Sequence, residues 1–451
     1  MNELRRARSL DVDNGLSTPS SNGHSNNEKH EIVNVQTIGD EERVPIVDSS
    51  HFPEGGVRAW LAVTGAFLVQ FTGFGYINSF GVYQDFYVRE YLTASTPSEI
   101  GWIGGVQVFL NFSLGAFTGR LFDRGYFYHL MISGVVIHAI SVFTLSLSQK
   151  NVYYQVFLTN GVGVGLASGL TYTASLAIPG HYFRRRRSLA VGIISSGSAL
   201  GAVIHPIMLN RLINGPVGFH SAVKISAAIN VFLLVVAACL TRTRLPPKEL
   251  QRFPIMQWLK EPGYLAFFVS AIFCFMGLFF PVFYLQLNAI THGVDRKFAF
   301  YALSILNASS FFGRTIPAAI AHKFGVFNLG TVFTIGTGTI ILSMIGVKDL
   351  AGTVTFSIIF GLFSGACIAL TPAMIAHLAN DANEFGTRLG LYFGFGGILG
   401  LFATPISGAL LTSQYHWVHP ILLAGISMIM TGVLYVIARH FVSKREGSQI
   451  I

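Results

Sequence analysis

The sequence predicts an all-α membrane protein with twelve transmembrane helices in two six-helix bundles, and three observations carry that prediction. Of 451 residues, 51% are hydrophobic and 11% charged, against roughly 25% charged in an ordinary soluble domain. Apolar spans of about 20 residues, enough to cross a hydrocarbon core of about 30 Å, recur from Val57 to Val442 with mostly short polar breaks. The third is the lack of short β-branched runs alternating with amphipathic helices, which a large buried parallel sheet would need.

The first element is a tail. Residues 1–53 are rich in Ser, Asn, Asp and Glu, hold few aromatics and lack the apolar core of a signal peptide, so they read as a disordered cytosolic segment. Ten of the 21 acidic residues fall between Glu3 and Glu54, which leaves the remainder poor in carboxylates.

Six spans follow, at Val57–Tyr83, Ser98–Leu121, Tyr126–Ser148, Val152–Ile178, Ser188–Ile213 and Val217–Leu240, and define a first bundle over 54–240. The longest polar break after the tail, "TRTRLPPKELQRFPIMQWLKEPG" (241–263), reads as a cytoplasmic linker. Six more spans, at Tyr264–Ile290, Phe298–Ala321, Val326–Gly346, Leu350–Leu378, Thr387–Thr412 and Trp417–Val442, give a second bundle over 264–442 and a short cytosolic end, 443–451. A weak echo relates the halves: "GRLFDRG" (119–125) closes the second helix and "AAIAHKFG" (318–325) the eighth, with Asp123 opposite His322 and Arg124 opposite Lys323. Parallel six-helix repeats are one known transporter architecture.

Cations set the orientation. One set of breaks holds Arg120, Arg124, Arg184, Arg185, Arg186, Arg187, Arg242, Arg244, Lys323, Arg388 and Lys444, while the other holds little beyond Arg89, Lys150, Arg211, Arg296, Lys297 and Lys348. The positive side faces the cytosol, so both termini are expected there, most simply at the plasma membrane. The run "RRRR" fixes orientation and binds acidic headgroups, with closure of an inner gate as its functional alternative. A net charge of +9 therefore needs no nucleic-acid partner. Cys239, Cys274 and Cys367 lie in separate spans, giving neither disulfide nor metal site, and no cofactor is called for.

"PEGGVRAW" (53–60) and "YFRRRRSLAVGIISSGSALG" (182–201) resemble the two signature blocks of the monocarboxylate transporter family of the major facilitator superfamily, in its fungal branch. "EFGTRLGLYFGFGGILGLFATPISGALL" (384–411) is similar to that group's eleventh helix, and "GRLFDRG" to the superfamily loop motif. The resemblance covers about Pro53 to Arg445. It implies that Gly119, Arg120, Asp123 and Arg124 hold the inner helix ends together in the outward-facing state, with Arg184–Arg187 assisting. It also implies proton and carboxylate handling by a lysine on the first helix and an aspartate and arginine on the eighth. Here Arg314 matches the arginine, Ser310 stands at the aspartate position and Asn78 at about the lysine position, so that route is incomplete.

The polar residues within spans point to the same helices. Arg314 lies about 13 Å along its helix from Lys323 at about 1.5 Å per residue, and a cation at such depth needs water or a partner. Two readings are open: Arg314 binds a substrate carboxylate with help from Ser310 one turn away, or it bonds helix carbonyls or inner headgroups. Asn78, Tyr76, Gln286, Asn288 and Asn307 are candidates for the same cavity, with interhelical hydrogen bonding as the alternative. His205, His138 and His377 are candidates for a proton relay, the alternative being satisfied buried histidines. "FFPVFYLQLN" (279–288) is the expected bent gating helix, through Pro281.

No phosphate-binding loop points to ATP, and no HExxH, activated serine or convergent carboxylates point to an enzyme. The expectation is a secondary carrier, functional as a monomer, that moves a small organic anion by alternating access, with a proton as candidate co-substrate. An efflux carrier for a biosynthetic metabolite and a non-transporting sensor are the alternatives.

Overall fold

The computed structural model describes residues 54–245, 255–379, 384–411 and 416–449. The expected tail (1–53), part of the linker (246–254) and Asp381 lie outside them. All the described residues fall within one compact unit, Ser50–Ile451.

Twelve long helices are described: α1 Val57–Tyr91, α2 Glu99–Asp123, α3 Phe127–Leu145, α4 Tyr153–His181, α5 Arg187–Ile213, α6 Gly218–Leu240, α7 Pro262–Thr291, α8 Arg296–Phe324, α9 Val326–Gly346, α10 Leu350–Leu378, α11 Phe385–Leu411 and α12 Val418–Glu446. No strand occurs among the described residues. Eleven of the twelve are long and apolar enough to cross a bilayer. The other is α8: its 29 residues would reach across at about 1.5 Å each, but Arg314, Asn307, His322 and Lys323 lower its hydropathy. It packs along α10 and α5 instead of standing in lipid on all sides.

Local chemistry sets the ends. Thr96 and Glu99 form a reciprocal capping box at the start of α2, the Glu99 carboxylate accepting from the Thr96 amide at 2.7 Å. The turns after α2 and α8 both use a left-handed glycine, Gly125 at φ 85° and Gly325 at φ 88°. These lie one residue out of the register that pairs Asp123 with His322.

Helix α7, the expected bending helix, is helical over Pro262–Thr291 with Pro281 inside it, as membrane helices tolerate. The breaks lie in α1, at Gly73 (φ −86°, ψ −95°) and at Asn78–Ser79, followed by a wide π turn over Tyr87–Tyr91. That helix also continues to Tyr91, eight residues beyond the expected Tyr83.

Side chains such as Ile132, Val136 and Ile140 on α3, Phe232 on α6 and Ile426 on α12 are exposed, as a lipid-facing surface requires. The first and last six helices meet along two seams, α2 against α11 and α5 against α8. The α2 seam is a contact of small residues: a Cβ on Gly119 would drive into the Gly386 carbonyl, and one on Gly390 into that of Gly115.

Candidate functional site

Between the seams lies a narrow cavity of about 30 Å3, squeezed between aromatic rings. Phe74 of α1, Phe112 of α2 and Tyr172 of α4 wall it from the first half, and Phe275 and Phe279 of α7 with Tyr392 and Phe393 of α11 wall it from the second. The rings pack on one another across the halves: Phe112 stands edge-on to Phe275 at 5.1 Å and stacks with Phe393 at 5.8 Å. Polar atoms are sparse and uncharged. Thr371 and Tyr392 both reach the Tyr435 hydroxyl, at 3.3 and 3.2 Å, and the Cys367 thiol meets Thr334 at 2.8 Å. Such a wall suits a flat apolar molecule with a few hydrogen-bonding groups.

None of the seven binding residues expected from the sequence lines this cavity. Arg314 is buried at the α5–α8 seam, where Nη1 donates to the Ser195 carbonyl at 2.6 Å and to the Ser198 hydroxyl, and Nε donates to Ser310 at 3.3 Å. All three partners are neutral. Two of them belong to α5, so the guanidinium ties the halves together, and its link to the cavity is the electrostatic one with Tyr172. Of the two readings left open, bonding to a helix carbonyl is the one this geometry displays. Ser195 and Ser198 were missed because a Ser-Gly run reads as generic close packing.

The other candidates scatter. Asn78 and Asn307 each donate to a carbonyl four residues back in their own helices, Phe74 at 2.7 Å and Leu303 at 3.0 Å. Gln286 is exposed, and Asn288 is buried with neither amide atom partnered among the described residues. Tyr76 turns into the first half, where its hydroxyl lies 2.6 Å from that of Tyr83. His138 and His205 flank the Tyr76 ring there. His377 is remote from both, at the end of α10, where its carbonyl accepts from Arg445 of α12. A three-histidine relay is therefore not assembled. Among the described residues no three His, Cys, Asp or Glu side chains gather as metal ligands.

At the arginine-rich end the loop-motif residues separate into two kinds. Asp123 is 8% exposed and crosses to α11, accepting from the Thr387 amide and hydroxyl, each at 2.6 Å. It thus caps, in trans, a helix whose first amides have no partner of their own. Arg187 completes this corner: its guanidinium lies 3.7 Å over the Phe385 ring and within electrostatic reach of Asp123. Arg120 and Arg124 are exposed and reach out from the seam. His322, the expected counterpart of Asp123, bonds back to Ala319 of its own helix at 2.8 Å, so the clamp has no twin at the other seam.

The side chains of Arg184, Arg185 and Arg186 are exposed, but their backbone amides converge on one carboxylate. Glu54 accepts from them at 2.8, 2.6 and 3.1 Å. The two blocks that carried the family resemblance therefore meet in space. Arg388, read in the sequence as a topology residue, is fully buried: it forks onto Glu261 at 3.0 and 3.2 Å and reaches Glu384 at 3.3 Å.

Comparison with known proteins agrees with this architecture. The aspyridones efflux protein apdF of Emericella nidulans is 38% identical over 400 residues, covering 89% of this chain and 81% of its own length. The agnestins efflux protein AgnL12 of Paecilomyces divaricatus is 36% identical over 386 residues, or 85% and 87% of the two chains. Among solved structures, the human organic anion transporter MFSD10 (TETRAN) superposes with a TM-score of 0.64 at 13% identity, over 85% of this chain and 99% of that one. It shows the same fold. The family model described as Major Facilitator Superfamily matches residues 60–356. Twelve helices meeting in two seams around a central cavity are thus the body of a multi-pass membrane transporter, and the chain belongs to the Major Facilitator Superfamily.

Proposed function

We propose that this transporter exports an apolar, ring-bearing secondary metabolite across the plasma membrane by alternating access, with both termini in the cytosol and one chain as the working unit. The observation that carries the reading is the cavity between the halves, whose walls are aromatic and whose polar atoms are hydroxyls and thiols. A small carboxylate would find no charge there; a planar apolar cargo would find rings on both sides. The efflux proteins for aspyridones and agnestins support the direction of flux.

Within the superfamily we read the chain as a member of the monocarboxylate-like branch, its cavity turned to larger cargo. The meeting of Glu54 with the amides of Arg184–Arg186 supports that assignment. A second reading, transport of a small organic anion, has one observation in its favour. Arg314 is held by neutral groups and becomes free for an anion whenever α5 and α8 part.

The test is a panel of labelled compounds in vesicles containing the purified chain, with planar ring compounds in one arm and short monocarboxylates in the other. Export of the ring compounds, competed by one another and not by monocarboxylates, is the expected outcome. Flux of monocarboxylates alone would favour the second reading, and flux of neither would favour a sensor.

A further inference from the structure

The wall that the last six helices give to the cavity is polar in one sense. Thr371 of α10 and Tyr392 of α11 line it, beside the thiols of Cys274 on α7 and Cys367 on α10. The Thr371 hydroxyl donates its hydrogen to the Cys367 carbonyl one turn back, at 2.8 Å. A carbonyl only accepts, so toward every other neighbour Thr371 offers lone pairs.

That one bond orders the groups around it. The Tyr435 hydroxyl of α12 lies 3.3 Å from that of Thr371 and 3.2 Å from that of Tyr392. With the Thr371 hydrogen already given away, Tyr435 donates to Thr371 and accepts from Tyr392. Tyr392 also meets the Cys274 thiol. Oxygen is the better acceptor of the two, so Tyr392 sends its hydrogen to Tyr435 and turns a lone pair toward the thiol and the cavity.

Cys367 has its acceptors behind the wall. Its sulfur lies 2.8 Å from the Thr334 hydroxyl and 3.9 Å from that of Thr337, which donates its own hydrogen to the Phe333 carbonyl. The facing wall is different in kind: the side chains of Phe74 and Phe112 are hydrocarbon, and Tyr172 is the member within electrostatic reach of Arg314.

A wall of lone pairs discriminates between neighbours. A neutral O–H or N–H is a stronger donor than a thiol and displaces it from Tyr392. An ether oxygen meets lone pairs like its own, and a carboxylate meets them with a full charge and no donor to offset its lost hydration. All these accepting groups belong to the last six helices, so the wall keeps its polarity when the halves part and its rings are uncovered.

We propose that this wall selects ring-bearing cargo that carries a neutral hydrogen-bond donor, a phenol or enol O–H or an amide N–H, with Thr371 and Tyr392 as the residues that accept it. The assignment rests on the ring-bearing cargo read above and narrows its chemical class.

Binding to the purified full chain in nanodiscs tests it, with empty nanodiscs as the blank and three probes built on one ring system: 2-naphthol, 2-methoxynaphthalene and 2-naphthoate. At about pH 7 the first is a neutral donor, the second only accepts and the third is an anion. Naphthol should bind about two- to tenfold more tightly than the methyl ether, and naphthoate most weakly. Thr371→Val keeps the shape but removes the acceptor, which frees Tyr435 to donate to Tyr392 and turns the Tyr392 hydrogen toward the cavity. The ratio of the first two affinities should then fall to about one or invert. Thr371→Ser keeps the hydroxyl and should keep the ratio.

A methyl ether bound as tightly as naphthol by the unaltered chain would overturn the assignment, whether or not the variants fold. So would a ratio unchanged in Thr371→Val, and naphthoate bound most tightly would overturn it in favour of the anion. Binding is read apart from flux, which separates the two readings. Should the panel find no export while naphthol keeps its advantage, the export reading falls and the accepting wall stands. Export of ring compounds with no preference for a donor would remove the accepting wall alone.

Discussion

The carboxylate of Asp123, at the end of α2, takes both the amide and the hydroxyl of Thr387 in the first turn of α11, each at 2.6 Å. One acidic residue from the first half thereby closes the arginine-rich end onto the second. It does so through the positive end of a helix dipole, with no ion pair of its own among the described residues. The contact is short because Gly119, one turn earlier in α2, lets the backbones of the two helices approach.

Removing that carboxylate should open the end it closes. Two hydrogen bonds to a charged acceptor are worth about 1–3 kcal/mol in sum after solvation, so Asp123→Ala should shift the conformational equilibrium about tenfold or more toward the state open at the arginines. Distances between spin labels placed across that end would report it. Gly119→Val should shift the same distances in the same direction by steric force, although it leaves every charge in place.

Arg314 should behave as a tie between halves. Arg314→Lys keeps the charge but loses the fork that spans the Ser195 carbonyl and the Ser198 hydroxyl. The expected kinetic signature is a lower turnover with little change in KM for a ring-bearing cargo. A rise in KM alone, measured in vesicle transport, would instead make Arg314 a cargo ligand.

Cavity rings should set affinity. Phe112→Ala and Phe393→Ala each remove a stacked aromatic surface, a loss of about 1.5–3 kcal/mol of burial if cargo takes the place of the partner ring. KM for the cargo should rise by about 10- to 150-fold in each variant, measured by concentration-dependent export. Phe→Tyr at either position should change it far less.

Stability should reside in part in Arg388. Its buried guanidinium is compensated by Glu261 and Glu384, which are themselves 36% and 21% exposed. Arg388→Ala should cost about 2 kcal/mol, below the range for fully buried pairs because water reaches both carboxylates. A thermal-shift assay in detergent would show it. Arg388→Lys should restore little, since a lysine cannot bridge both carboxylates.

The scaffold was readable because lipid imposes a one-dimensional code. Each span must be long, apolar and closed on its own hydrogen bonds, so α9 and α10 appear in the sequence with the same ends as in the structure. The helix-closing motif stands out in the sequence as well, but only the tertiary structure revealed that its Asp123 meets Thr387 of α11.

The cargo site was not readable, for a physical reason. In a mid-membrane helix a phenylalanine that lines a cavity and one that faces lipid have the same hydropathy, so nothing along the chain singled out Phe112, Phe275 or Phe393. Polar residues drew attention by their cost, yet most met that cost locally, as Asn78 and Asn307 do with carbonyls of their own turns. Arg314 was found for the right reason, the expense of a buried cation, but its partners came from α5, about 116 residues away in the chain. Sequence alone determined the number of crossings, the charged end and the residues too costly to be idle; the close packing of one half on the other decided which faced a cavity and which faced each other.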